Sequence, residues 1–170
     1  MTTAVAENLL NWLKDAHAME QQAESMLKAQ AGRIEHYPDL KARIEQHLQE
    51  TLGQKQILED CIARLDSSPS VLKDLSGRIA AFGQAVGGMT QSDEVIKGAM
   101  AGYVFENLEI ATYTTLIAAA RQAGDTQTEQ ACKEIIEQEK AMSAWLLNQL
   151  PLLTQQFLLR DAAPHTQAKV

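Results

Sequence analysis

The chain has 170 residues, 45% hydrophobic and 22% charged, with a formal net charge of −7. That length supports one domain with a real core, and that apolar share excludes a disordered chain. The acidic balance argues against nucleic acid or an anionic membrane surface as a main partner.

The 4 prolines and 9 glycines fall in clusters, a spacing that favours a few long helices over many short strands. Neither Cys61 nor Cys132 belongs to a CxxC pair; each sits in an amphipathic pattern and is expected as a buried thiol. The N-terminal stretch carries Glu7 and no basic run, so no signal peptide is expected. No apolar run reaches the roughly 20 residues of a membrane span. A cytoplasmic protein is the expectation.

A first helix is predicted over residues 5–31, where Leu9, Leu13, Ala16, Glu20, Ala23 and Leu27 share one face and Gly32 is a natural stop. Pro38 opens a second helix, running to about Leu65 with Leu40, Ile44, Leu48, Thr51, Leu58 and Ile62 inside. Residues 70–93 carry apolar positions broken by Gly83, Gly87 and Gly88, and are expected as a long crossover. The third helix follows Ser92, has Asp93 and Glu94 near its start, and stops at Gly124. Asp125 or Thr126 can cap the fourth, which Pro151 is expected to interrupt near Leu150. Leu152, Leu153, Phe157 and Leu158 suggest a short extra helical segment, and residues 161–170 a flexible tail beyond a 1–160 bundle. Two short loops and one long connection predict an all-α, ferritin-like four-helix bundle, with the crossover between helices 2 and 3.

The third helix carries the strongest signal. Between Lys97 and Arg121 its only charged residues are Glu106 and Glu109, so it is apolar on nearly every side and should be buried. Buried carboxylates are costly unless protonated, paired or bound to a cation. Glu20 and Glu139 sit centrally on the apolar stripes of helices 1 and 4, and Glu50 lies at the edge of helix 2's stripe, three residues after His47. Counting from the turns puts these acids at similar depth: Glu20 is 12 residues before Gly32, Glu50 is 12 after Pro38, Glu109 is 15 before Gly124 and Glu139 is 14 after Asp125. The separations 50−20 and 139−109 are both 30, a weak internal repeat of a helical hairpin. Glu50 alone would pass for a boundary residue with a solvated head. His17 is expected at the surface or boundary, Tyr103 and Tyr113 as core aromatics, and Arg33, Arg43, Lys55 and Arg64 on solvated faces.

The stretches Asp15–Gln22, His47–Thr51, Val104–Ala111 and Glu137–Lys140 resemble the YciE/YciF ferritin-like bacterial stress proteins. The similarity spans roughly residues 8–150 and is closer to the YciE branch. It implies a cytoplasmic homodimer of helical bundles, associated with stress responses, with a two-metal site and no securely attached activity. Di-iron bundles take a Glu from each of two helices and a Glu-x-x-His from each of the other two. This chain departs from that, with Gly53 after Glu50, Lys140 after Glu137 and Met142 after Glu139; its His47 precedes its Glu.

One expectation is therefore a metal site with Glu20, Glu50, Glu109 and Glu139 as ligands, Glu106 and His47 in support, and iron or manganese as hard-donor partners. Two metals bridged by carboxylates would be capable of oxygen or peroxide chemistry. The alternative is a non-enzymatic dimeric stress protein whose acids are protonated or paired with a lysine such as Lys140. Storage in a 24-subunit shell has the least support. No nucleotide loop, nucleophile elbow or Ser-His-Asp arrangement points to another enzyme class.

Overall fold

The computed structural model describes residues 3–66 and 92–169, which form four long helices and no strand. They are α1 (Thr3–Arg33), α2 (Pro38–Leu65), α3 (Glu94–Ala123) and α4 (Thr126–Asp161). Pro38 occupies the first turn of α2, where its missing N–H costs nothing. Gly124 closes α3 in the left-handed region at φ 72°, a conformation open to glycine without penalty. The Asp125 side chain then caps α4 by accepting from the Thr128 backbone N–H at 3.1 Å. Gly32 does not stop α1, which runs one residue further, to Arg33.

Two ion pairs fix the topology. Arg33, ending α1, donates to Glu94, starting α3, with Nη2 2.7 Å from Oε2. Arg64, ending α2, meets Asp125 between α3 and α4 at 2.7 Å. The start of α3 therefore lies at the end of the bundle that holds the α1–α2 turn, and α2 finishes at the other end. Helices α2 and α3 run parallel, so α3 starts at the opposite end of the bundle from the one where α2 finishes. This is the ferritin-like connectivity expected from the sequence. The crossover segment itself, 70–91 of the expected 70–93, lies outside the described residues. Arg33 and Arg64 are exposed, as expected, yet each is also tied to an acid on another element, whereas Lys55 and Arg43 are part-buried against Glu24 and Glu50.

The core divides into two apolar clusters. Leu9, Leu13, Leu58, Ile62, Leu116 and Ile135 belong to the one toward the α3–α4 turn. Leu27, Tyr37, Leu40, Val95, Met142 and Leu146 belong to the other, the upper cluster, toward the α1–α2 turn. On α2 and α4 the break between them is where buried polar residues sit: His47, Thr51 and Gln54 on one helix, Glu139 on the other.

Two expectations for the C-terminal region do not hold. Helix α4 continues through Pro151 to Asp161, so the extra segment is its last part. An internal proline costs about 3 kcal/mol. Leu153 is buried and Leu150 and Phe157 are partly buried against the upper cluster, and such burial returns roughly 1.5–3 kcal/mol per side chain when complete. Residues beyond 161 are not a loose tail either. They turn at His165 and return to the bundle, where Tyr37 Oη donates to the Ala168 carbonyl at 2.6 Å and Val95 N–H to the Lys169 carbonyl at 3.0 Å. Among the described residues no helix is long and apolar enough to cross a membrane.

Candidate metal centre

Helix α3 sets the site because one face of its middle is buried by its neighbours; it is not buried all round as its composition suggested, since Val104 and Leu108 on the opposite face are exposed. Glu106 and Glu109, one turn apart, point into the bundle with 4% and 1% of their surface exposed. Glu139 of α4 and Glu20 of α1 are fully buried, and His47 of α2 is nearly so. One donor atom from each of His47, Glu106, Glu109 and Glu139 lies within 4.8 Å of every other.

The imidazole is the hub. His47 Nε2 is 3.2 Å from Glu106 Oε2 and 3.5 Å from Glu139 Oε2, while Nδ1 is 2.7 Å from Glu50 Oε2. Burial works against a charged ring, but Glu106, Glu139 and Glu50 outweigh it and push the histidine up to about 11. Gln54 Nε2 donates to Glu139 Oε1 and, at 2.8 Å, to Gln138. Tyr113 Oη donates to Glu20 Oε1. Among the described residues, both Glu109 oxygens, Glu20 Oε2 and Glu139 Oε2 have no hydrogen-bond partner.

The acids respond to this setting in the expected direction. Burial first, and then the charge of Glu139, holds the Glu20 carboxyl well above the usual range. Glu109 is raised likewise by burial and then by Glu20. Glu106 rises to about 7, because burial outweighs the help of His47. Without a cation, part of this cluster therefore keeps its protons near neutral pH.

Six residues were candidates from the sequence, and the geometry reorders them. His47 and Glu106, expected in support, join Glu109 and Glu139 in the donor cluster. Glu20 shares the layer and presents one unpartnered oxygen, but stands just outside the group of four. Glu50 is turned outward, held by His47, by Gln46 at 2.9 Å and by Arg43 at 3.3 Å. Lys140 does not neutralise the cluster; it is exposed and pairs with Glu137 at 2.8 Å. His17, expected near the surface, is buried with Nε2 2.9 Å from Glu59. The tie between Tyr113 and Glu20 was not foreseen, although Tyr113 follows Glu109 by four residues and so shares its face.

The donor set fits a hard divalent cation: three carboxylates and one imidazole, with both Glu109 oxygens making no hydrogen bond among the described residues. A ligating imidazole must be neutral, so a cation here would take over the charge that His47 supplies.

Residues 4–159 match the family model of a domain of unknown function, DUF892. The chain belongs to that family. The resemblance to YciE/YciF proteins read from the sequence is thus borne out. A solved protein of Xanthomonas campestris pv. campestris is 42% identical, with a TM-score of 0.75, covering 94% of this chain and 99% of that one. The Escherichia coli stress protein YciF shares the fold at 24% identity and a TM-score of 0.68, over 89% of this chain and 96% of its own. YcfI of Rhodopseudomonas palustris does so at 24% and 0.63, over 86% and 96%.

Proposed function

We propose that this chain is a stress-associated, cytoplasmic ferritin-like protein that binds one or two iron or manganese ions in its core. The supporting observation is the convergence of His47, Glu106, Glu109 and Glu139 from three helices, all buried, with donor atoms within 4.8 Å of one another. In this reading those four hold the first ion. Glu20, with its unpartnered Oε2, extends the set toward a second, and Glu50 orients His47 through Nδ1. Iron or manganese held here would bring redox chemistry toward oxygen or peroxide. The chain's own part is to exclude water, to fix the carboxylates by Gln54 and Tyr113, and to hold protons on Glu20 and Glu109 until a cation replaces them. The stress role rests on the resemblance to YciF-type proteins. Elemental analysis of protein purified without added metal tests the reading. Stoichiometric iron or manganese is expected, and its absence even after reconstitution would remove it.

The ion pairs of His47 with Glu106 and Glu139 favour a second reading. They offset buried negative charge without any metal, as a purely structural polar layer would. In that case added Mn²⁺ leaves the melting temperature unchanged.

We also propose a homodimer. Met100, Val104 and Leu108 follow one another at four-residue steps on α3 and are 52%, 67% and 40% exposed, an apolar ridge of the kind an interface covers. Light scattering should give a dimer mass at micromolar concentration and a monomer for Val104→Glu with unchanged helicity. A parent that is already monomeric removes the proposal.

A further inference from the structure

Between the carboxylate cluster and the α1–α2 turn the helices do not close on one another. A cavity of about 230 Å³ is lined on α3 from Glu94 to Glu106, and twelve helical residues span about 18 Å. Its walls are aliphatic, with Leu27 from α1, Leu40 and Ile44 from α2, Ala99 from α3, and Met142 and Leu146 from α4. Polar lining residues fall at its two ends. Gln30, Arg33, Glu94 and Lys97 stand at the outer end, and Glu106 at the inner one.

Native cores hold few voids larger than a water molecule. An apolar void of about 150 Å³ stays dry and takes up benzene; this one is larger and elongated. Two glycines of α3, Gly98 and Gly102, line it. Inside a helix each is less favourable than alanine. Packing does not require the one at 102, where a Cβ would meet Leu146 Cδ1 at an ordinary 3.4 Å, whereas a Cβ at Gly98 would crowd, at 3.2 Å, the Gln30 amide that donates to the Gly98 carbonyl. Their effect is to keep the space open.

We propose that this cavity binds a single-chain alkyl amphiphile of roughly eight to ten carbons, scaled from the benzene case. A slender, aliphatic-walled space suits an unbranched chain better than a fused ring. The polar end stays at the outer end, where Arg33 and Lys97 are exposed and a head group keeps its contact with water, because at the inner end Glu106 is buried and already paired with His47. The chain's inner terminus then rests beside the carboxylate cluster. The binding site itself does not depend on metal occupancy.

The test uses the full chain, treated with chelator and titrated calorimetrically with 1-nonanol and with nonanoate, which share the chain and differ in head-group charge. Saturable one-to-one binding of at least one of them, with a rise in melting temperature, is expected. Ala99→Leu fills the space and should lose roughly tenfold or more in affinity while melting no lower than the parent. Should that variant not fold, Gly102→Ala narrows the same cavity and should weaken binding by about threefold or more. The proposal is overturned if neither compound binds saturably below its solubility or micelle limit. It is equally overturned if both substitutions leave affinity unchanged, which would mark surface adsorption.

Discussion

Glu109→Gln separates a metal centre from a self-contained polar layer. In the metal-free protein the Glu109 carboxyl is raised well above the usual range by burial and by Glu20, and its oxygens make no hydrogen bond among the described residues. Burial therefore favours its protonated form, and glutamine has nearly the same shape and no charge. Metal-free stability should not fall, because glutamine spares the fold from holding on Glu109 a proton that the unfolded chain releases above about 4.5. A cation at a hundred times its dissociation constant adds about 2.7 kcal/mol to the parent, which for a domain of this size is about 5–11 °C in melting temperature. The variant lacks an anionic donor in the cluster of four and should keep less than about a quarter of that gain. Scanning calorimetry on chelator-treated protein, with and without Mn²⁺ or anaerobic Fe²⁺, reads both quantities. The double variant Glu20→Gln/Glu109→Gln should melt above the metal-free parent at neutral pH, because the fold no longer has to hold protons on two acids that the unfolded chain would ionise, and should gain nothing from metal. A parent with no metal-dependent shift from mildly acidic to neutral pH removes the metal centre. Equal shifts in parent and Glu109→Gln remove Glu109 from it.

His47→Leu deletes the cation among Glu50, Glu106 and Glu139, and should cost the metal-free protein about 3–5 kcal/mol by urea denaturation; an unchanged urea midpoint would refute the hub role. Asp125→Ala removes the α4 cap and the Arg64 pair and should cost about 2 kcal/mol. Burial opposes ionisation of Asp125, but Arg64 and Thr128 outweigh it and hold the carboxyl below its usual value. Its contribution is thus full above the unfolded value near 3.8 and is lost as pH falls through the folded one, so Asp125→Ala should show a shallower acid limb. Deleting residues 162–170 removes the Tyr37–Ala168 and Val95–Lys169 hydrogen bonds and should cost about 2 kcal/mol. An unchanged urea midpoint would mean that the docked tail adds no stability.

The helices and their pairing were legible because periodicity and turn residues are local signals. Counting from the turns also placed Glu20, Glu109 and Glu139 in one buried layer, since helical rise is uniform. Counting does not fix rotation about a helix axis. Glu50 has the right height but turns out toward Arg43 and Gln46, while His47, three residues before it, turns in. Pro151 was a sound stop signal by local rules and was overridden by the burial of Leu153 against the upper cluster. The tail has no periodicity at all; its order comes from Tyr37, 131 residues away from Ala168 in sequence.

The departure from the Glu-x-x-His pattern has a physical counterpart in the structure. A bundle with that pattern brings two neutral imidazoles to its carboxylates and leaves most of the negative charge for metal to offset. This chain brings a single histidine and surrounds it with Glu50, Glu106 and Glu139. It then raises Glu20, Glu106 and Glu109 until protons take up part of the remaining charge. An imidazolium and a set of protons do there what a cation would do, so the fold can form before any metal arrives. A metal bound as proposed would exchange those protons for the ion, and the net gain would be the difference between two compensated states. That difference is smaller than the bare attraction of a cation for three buried carboxylates, and it shrinks as pH falls.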